Sequence, residues 1–246
     1  MSFLFIYLTK DLYVGKPLVA FALFFPIAVV YLGKRQRKQW KKIFLASLVF
    51  GGLFGFFFEF FQEYNRSYSI LPSIFPFKIL GVIPPDNLFA HIMMTAFTMI
   101  FYEHFVGFKK NSIIPRKFFF LALIALLVDI GVIILFLNNP ASLKIKYSYA
   151  ILGGIAVIAP IYLSFKNTEF IKKAAPVSYY FFFIYFIIEL FAVKYNWWVY
   201  QSESYIGWVN VFGLRFPFEE LFFWMIFYAP VLIAFREMFL EKGEYA

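Results

Sequence analysis

Arg215-Phe-Pro-Phe-Glu-Glu-Leu-Phe-Phe-Trp224 sets two adjacent carboxylates, Glu219 and Glu220, at the mouth of an aromatic segment that carries no further charge until Arg236. The stretch 219–240 is long enough to cross a bilayer, for which about 20 apolar residues are needed. An ionised side chain at that depth costs on the order of 3 kcal/mol unless it is paired or hydrated, so acids in such a place point to function. The pair therefore points to proton chemistry in an apolar setting, within an integral membrane protein.

Composition agrees. Of 246 residues, 63% are hydrophobic and 25% aromatic, whereas soluble domains hold roughly 45–50% apolar residues. The net charge of +9 does not mark a nucleic-acid partner, because the basic residues stand in short clusters between apolar runs, as in membrane loops. Cysteine is absent, which excludes disulfides, thiolate nucleophiles and cysteine-ligated metals. His91 and His104 are the only histidines and neither belongs to a metal-binding pair, so no metal site is expected. No G-x-G-x-x-G motif follows a strand, so no flavin or nicotinamide is expected either, and the cofactor expectation is none. The N-terminal stretch lacks a small-residue cleavage site after a short apolar core, and the first span is expected to insert uncleaved.

Spans are expected near 13–33, 43–61, 88–108, 118–137, 148–165, 176–193 and 219–240, giving an all-α protein of about seven transmembrane helices. Pro26, Pro160 and Pro230 lie inside these runs and predict kinks rather than breaks. Lys34, Arg35, Arg37, Lys38, Lys41 and Lys42 follow the first span; Lys109, Lys110, Arg116 and Lys117 the third; Lys166, Lys172 and Lys173 the fifth; Arg236 and Lys242 the last. Most of the 23 basic residues thus share one side, and the positive-inside rule puts the C-terminus in the cytoplasm, across the cell (inner) membrane from the N-terminus.

Two regions echo each other. Phe58-Glu59-Phe60, Tyr64-Asn65, Gly81, Pro84-Pro85-Asp86-Asn87-Leu88-Phe89 and Tyr102-Glu103 correspond to Ile188-Glu189-Leu190, Tyr195-Asn196, Gly213, Pro217-Phe218-Glu219-Glu220-Leu221-Phe222 and Arg236-Glu237. The spans then divide as three, one, three: a first three-helix repeat over 1–110, a linker helix over 111–147 and a second repeat over 148–246. The halves begin four spans apart and share orientation, which makes a parallel repeat. The long loops 62–87 and 194–218 carry Tyr64, Tyr68, Trp197, Trp198, Tyr200, Tyr205 and Trp208, residues that serve as interfacial anchors in membrane proteins of any function or, alternatively, as the roof of a pocket.

Asn196-Trp-Trp-Val-Tyr200, a short linker, Gly213 and Pro217-Phe-Glu-Glu220 ahead of an aromatic span resemble the lycopene cyclase domain family, whose P-x-E-[ED] corner is its recognisable motif. The resemblance covers most of the chain. It implies three-span units, here fused in tandem, and a cofactor-independent cyclisation of linear carotenoid ends to β-type rings. Implied partners are a lycopene-like carotenoid substrate and the lipid bilayer, with room for a homo-oligomer or a complex with other carotenoid enzymes. The second half matches the motif at Pro217, Glu219 and Glu220; the first departs from it, with Pro84, Asp86 and Asn87.

Such a cyclisation protonates an alkene, lets a neighbouring double bond capture the cation and removes a proton. It requires an acid, a base and walls that do not trap a cation; carboxyl groups and arene faces meet these needs. Adjacent helical residues point about 100° apart, so Glu219 and Glu220 are not expected to form a dyad alone. One of them is expected to face inward as general acid, paired with Asp86, Glu59 or Glu189. These five acids are the candidate catalytic residues; Pro217, Asn87, Asn196, Trp197, Trp198 and Tyr200 are the candidate substrate-binding residues. His91, one turn beyond Asn87, reads as a packing partner or as a hydrogen-bond partner of Asp86 or Asn87. Asp129 sits mid-span with no partner nameable from sequence. Arg215 is placed to pair with Glu219 or Glu220, which would weaken either as an acid.

Two rival readings are a small-solute transporter, since a parallel three, one, three repeat also occurs in sugar exporters, and another terpenoid- or prenyl-modifying membrane enzyme. The spans are mostly Phe, Leu and Ile, which suits a hydrocarbon better than a sugar, and no pair of aspartate-rich motifs is present to hold a magnesium diphosphate.

Overall fold

In lipid, only helices and closed barrels satisfy every backbone polar group; the first six expected spans each overlap one helix, and the seventh, 219–240, is divided between two. The computed structural model describes residues 16–34, 39–70, 73, 75–107 and 113–240. Residues 13–15 and 108 of the expected spans, and Arg35, Arg37, Lys38, Lys109, Lys110 and Lys242 of the basic clusters, lie outside the described residues. The helices are α1 (Lys16–Gly33), α2 (Trp40–Tyr64), α3 (Pro85–Phe105), α4 (Arg116–Asn138), α5 (Ser148–Lys166), α6 (Thr168–Lys194), α7 (Glu220–Ile226) and α8 (Tyr228–Leu240). Among them, α2, α4, α5 and α6 are long and apolar enough to cross a membrane, and a fifth span results if α7 and α8 count as one.

Helix boundaries follow local chemistry. Pro84 and Pro85 open α3 and Pro115 precedes α4, where a missing N–H costs nothing because the first turn has no partner for it. Asn167 caps α6 by accepting from the Glu169 N–H at 2.9 Å. α1 and α5 run through Pro26 and Pro160 without ending. Pro230 lies in the first turn of α8, just past a 48° bend that separates it from α7, so here the expected kink is an interruption of the helix one turn earlier. Both α2, at Ser47–Leu53, and α7 are wound as π-helix, a form that recurs at functional sites.

The two long loops are not irregular throughout. Strands β1 (Ser69–Ile70) and β2 (Trp198–Val199) pair antiparallel, joining the two loops, while β3 (Trp208–Val211) and β4 (Leu214–Pro217) form a hairpin leading directly into α7. Its two-residue turn holds Phe212 and Gly213 at φ 50° and 77°, the left-handed pair that such hairpins require and that glycine adopts at no steric cost. Tyr205 donates its hydroxyl hydrogen to the Ser67 carbonyl oxygen, a second tie between the loops. Burial pushes the Tyr205 phenol up, so it keeps the proton it donates.

The largest buried cluster joins α1, α2, α3, α6 and α8 through residues such as Phe25, Phe50, Phe97, Phe181 and Ile233. α4 instead shows Phe119, Phe120, Leu123, Leu127 and Leu137 outward, an apolar surface of the kind that lipid covers. Where the π turn of α2 meets α3, Gly51 has no room for a side chain. A Cβ there would lie 2.6 Å from the Ile92 backbone and 2.7 Å from the His91 carbonyl oxygen. Gly51→Ala is therefore expected to push α3 outward and lower stability by roughly 1–3 kcal/mol, read as a drop in the detergent-solubilised melting temperature; an unchanged melt would contradict this packing.

Candidate functional site

The beginning of α3, the end of α2 and the β1–β2 pair border a small cavity of about 70 Å³ with Glu59, Tyr68, Asp86, Asn87, His91, Tyr149, Trp198, Tyr200, Glu220 and Trp224 on its walls. Helical spacing explains part of this convergence. Asn87 and His91 lie four residues apart on α3, and residues so spaced share a face; Glu220 and Trp224 stand in the same relation on α7. The strands bring in Tyr68 and Trp198 from opposite loops.

Glu59 is the best-supported acid. It is buried and receives three side chains: the Tyr68 hydroxyl, Asn87 Nδ2 at 3.0 Å, and His91, whose Nε2 lies 2.6 Å from Glu59 Oε1. A carboxylate acts only as an acceptor, and a set of donors converging on both oxygens suits an ion. Burial, followed by the Glu59 charge, pushes the Tyr68 phenol up, so that it remains a donor. His91 is thus a partner of Glu59, not of Asp86 or Asn87.

Glu220 faces the same cavity and accepts from the Tyr149 hydroxyl at 2.5 Å. Its neighbour Glu219 turns away. Glu219 is fully buried, accepts from the Ile206 N–H at 2.6 Å and has its other oxygen unpartnered; it is not part of the cavity wall. Adjacent residues diverge as expected, and of the pair it is Glu220 that meets the chamber. Glu189 stands behind the wall. It accepts from Tyr200 at 2.7 Å and from the Trp198 indole N–H at 3.1 Å, and so positions two wall residues. Asp86 lies on the wall and accepts from Ser73 Oγ at 2.8 Å.

Asn87, Trp198 and Tyr200 therefore line the cavity as candidate binding residues, whereas Pro217, Asn196 and Trp197 do not. Pro217 is the last residue of β4. Asn196 lies two residues beyond α6 at φ 52°, a left-handed position common just past a helix end. Trp197 is buried against Ala192 in a small separate cluster. Arg215 makes a cation–π contact, its guanidinium 4.2 Å from the Trp208 ring, in place of the expected ion pair with Glu219 or Glu220. Tyr149 is a functional candidate that the sequence did not single out, since nothing in the local pattern distinguishes it from the other tyrosines among 17; Tyr68, one of the loop aromatics, takes the roofing role rather than that of an anchor alone.

Beside this carboxyl-bearing chamber lies an apolar one of about 420 Å³, and the two share Phe58, His91, Tyr149 and Trp224. Ile124, Val128 and Ile155 belong to its wall and are exposed large apolar residues. An aromatic wall stands at the junction. The ring centroids of Trp224 lie 4.6 Å from Tyr228, 5.3 Å from Tyr185 and 5.5 Å from His91. Arene faces so placed attract a developing cation by roughly 0.5–2 kcal/mol per ring. Among the described residues no group of His, Asp and Glu has the arrangement of a metal site.

Compared with protein-family models, with curated proteins and with solved structures, the chain matches none.

Proposed function

We propose that the chain is a membrane-embedded, proton-initiated cyclase acting on the end of a linear carotenoid of the lycopene type, without a cofactor. The observation that carries this reading is the adjacency of the two chambers: a pocket with Glu59, Asp86 and Glu220 on its wall lies beside a larger apolar one, and Phe58, His91, Tyr149 and Trp224 belong to the walls of both. In this reading a polyene lies along the second with its end in the first, since a pocket lined by apolar and aromatic side chains with a few polar groups at one end suits a hydrocarbon with one reacting terminus.

In this reading Glu220, in its protonated form, delivers its proton to the terminal alkene. The resulting tertiary cation is captured by the neighbouring double bond, which closes the ring and moves the charge onto a ring carbon. Loss of a proton from the adjacent carbon regenerates an alkene. Atoms and electrons balance with no oxidant, since the product is an isomer of the substrate. Glu59, held by Tyr68, Asn87 and His91, is the base for that last proton, and Trp224 and Tyr228 face the passing cation.

The reading includes seven spans arranged as a three, one, three parallel repeat, with the C-terminus in the cytoplasm. Matching contacts support the repeat. Glu59 and Glu189 each accept from the side chain nine residues later, Tyr68 and Trp198. Asp86 and Glu219 each accept from the residue thirteen positions earlier, Ser73 and Ile206. The corner positions that follow, Asn87 and Glu220, both reach the cavity. Expression in lycopene-accumulating cells followed by pigment analysis tests the activity: cyclised carotenoid is expected, and red pigment unchanged by the wild-type chain would contradict it.

A further inference from the structure

Asp129 is a carboxyl that the cyclisation does not use. It lies midway along α4, is about 5% exposed, and lines the apolar chamber rather than the acidic one. Its neighbours on that wall are Leu121, Ala125, Val128, Leu152 and Val157. Among the described residues it has neither a hydrogen-bond nor an ion-pair partner. It is the one carboxyl among the described residues of that wall, and a carboxyl held against apolar neighbours without a partner gains from a ligand atom that completes a hydrogen bond.

We propose that Asp129 is a recognition point for a hydroxyl group carried on the chain of the bound polyene, so that the preferred substrate is a hydroxylated linear carotenoid and not a plain hydrocarbon. The proposal rests on the reading of the apolar chamber as the seat of a long hydrocarbon. A cationic headgroup fits less well, because no second carboxyl is among the described residues of that wall and a buried ion pair must repay the dehydration of both partners. A neutral hydroxyl asks only for one hydrogen bond, which Asp129 can give or accept according to its protonation. A single such point in the chamber also makes the two ends of the substrate inequivalent, one in the acidic chamber and the other part of the chain read by Asp129.

The test is a binding titration on the purified full chain in detergent, using lycopene and its monohydroxylated derivative as probes and the quenching of tryptophan emission as readout. The wild type is expected to hold the hydroxylated polyene roughly tenfold more tightly. Asp129→Leu is expected to bind both alike with lycopene affinity retained, and Asp129→Asn to keep part of the preference, since an amide still offers a hydrogen bond. A wild type without preference, or a leucine variant that keeps it, overturns the proposal. Should the leucine variant fail to fold, the infrared C=O stretch assigned to Asp129 by its loss in Asp129→Asn is read instead. It should shift on adding the hydroxylated polyene and not on adding lycopene; a band unmoved by both overturns the proposal. Preference without any ring formation leaves this site standing and removes the cyclase reading, whereas binding of neither polyene removes the site whatever the pigment assay gives.

Discussion

Glu220→Gln is expected to lower ring formation by roughly 10²–10⁴-fold, the usual loss when a positioned proton donor is removed. The amide keeps the size of the side chain and its acceptor for the Tyr149 hydroxyl, 2.5 Å away in the native site, so lost activity cannot be ascribed to lost packing. Glu219→Gln provides the contrast. Its carbonyl oxygen can still accept from the Ile206 N–H, it lies outside the cavity wall, and less than about a tenfold loss is expected, the worth of a single altered hydrogen bond. Pigment turnover per mole of folded protein measures both. Equal, severe losses in the two variants would contradict the division of roles between these neighbours.

Arg236→Met is expected to have the largest effect on stability. The guanidinium is buried between two acids, with Nε 2.7 Å from Glu103 and Nη1 2.5 Å from Glu237, and lies over the Tyr102 ring at 4.9 Å. Tyr102 also donates to Glu237 at 2.7 Å, and Lys173 Nζ approaches the same carboxylate at 3.7 Å. This group clamps the end of α3 to α8 and to the beginning of α6. Removing the arginine leaves two buried carboxylates facing each other, a change that costs on the order of 3–5 kcal/mol, a large share of the roughly 5–15 kcal/mol that holds a typical fold. The measurable outcome is loss of a cooperative melt or a sharp fall in monodisperse protein after solubilisation. Adding Glu103→Gln and Glu237→Gln to Arg236→Met should recover much of it, because the stranded charges are then gone; no recovery would mean that the arginine acts through packing alone.

Much of the helical frame was legible in the chain because lipid leaves an apolar run of this length few alternatives. Glu59, Glu189 and the two corners were legible for the same reason, as charges in costly places. The facing of Glu219 and Glu220 was not. Which of two adjacent residues points inward depends on the π winding of Glu220–Ile226 and on the hairpin that delivers the chain into it, and neither leaves a periodic trace. Strands of two residues, such as Ser69–Ile70 and Trp198–Val199, are too short to show alternation, so the sequence leaves the loop aromatics open between anchors and a roof, and pairing of the strands places Tyr68, Trp198 and Tyr200 on the chamber wall. The echo of Tyr102-Glu103 in Arg236-Glu237 was visible, but not that the two pairs touch: Tyr102 meets Glu237 and Arg236 meets Glu103, a contact between segments 133 or more residues apart.

Solvent deuterium tests the central claim most directly. Purified protein in a deuterated buffer, supplied with lycopene in liposomes and with no added flavin or nicotinamide, should yield cyclised product carrying one solvent deuterium for each ring, as read by mass spectrometry. Rings formed without deuterium, or no rings at all, would contradict an account in which a buried carboxylic acid begins the reaction by protonating the alkene.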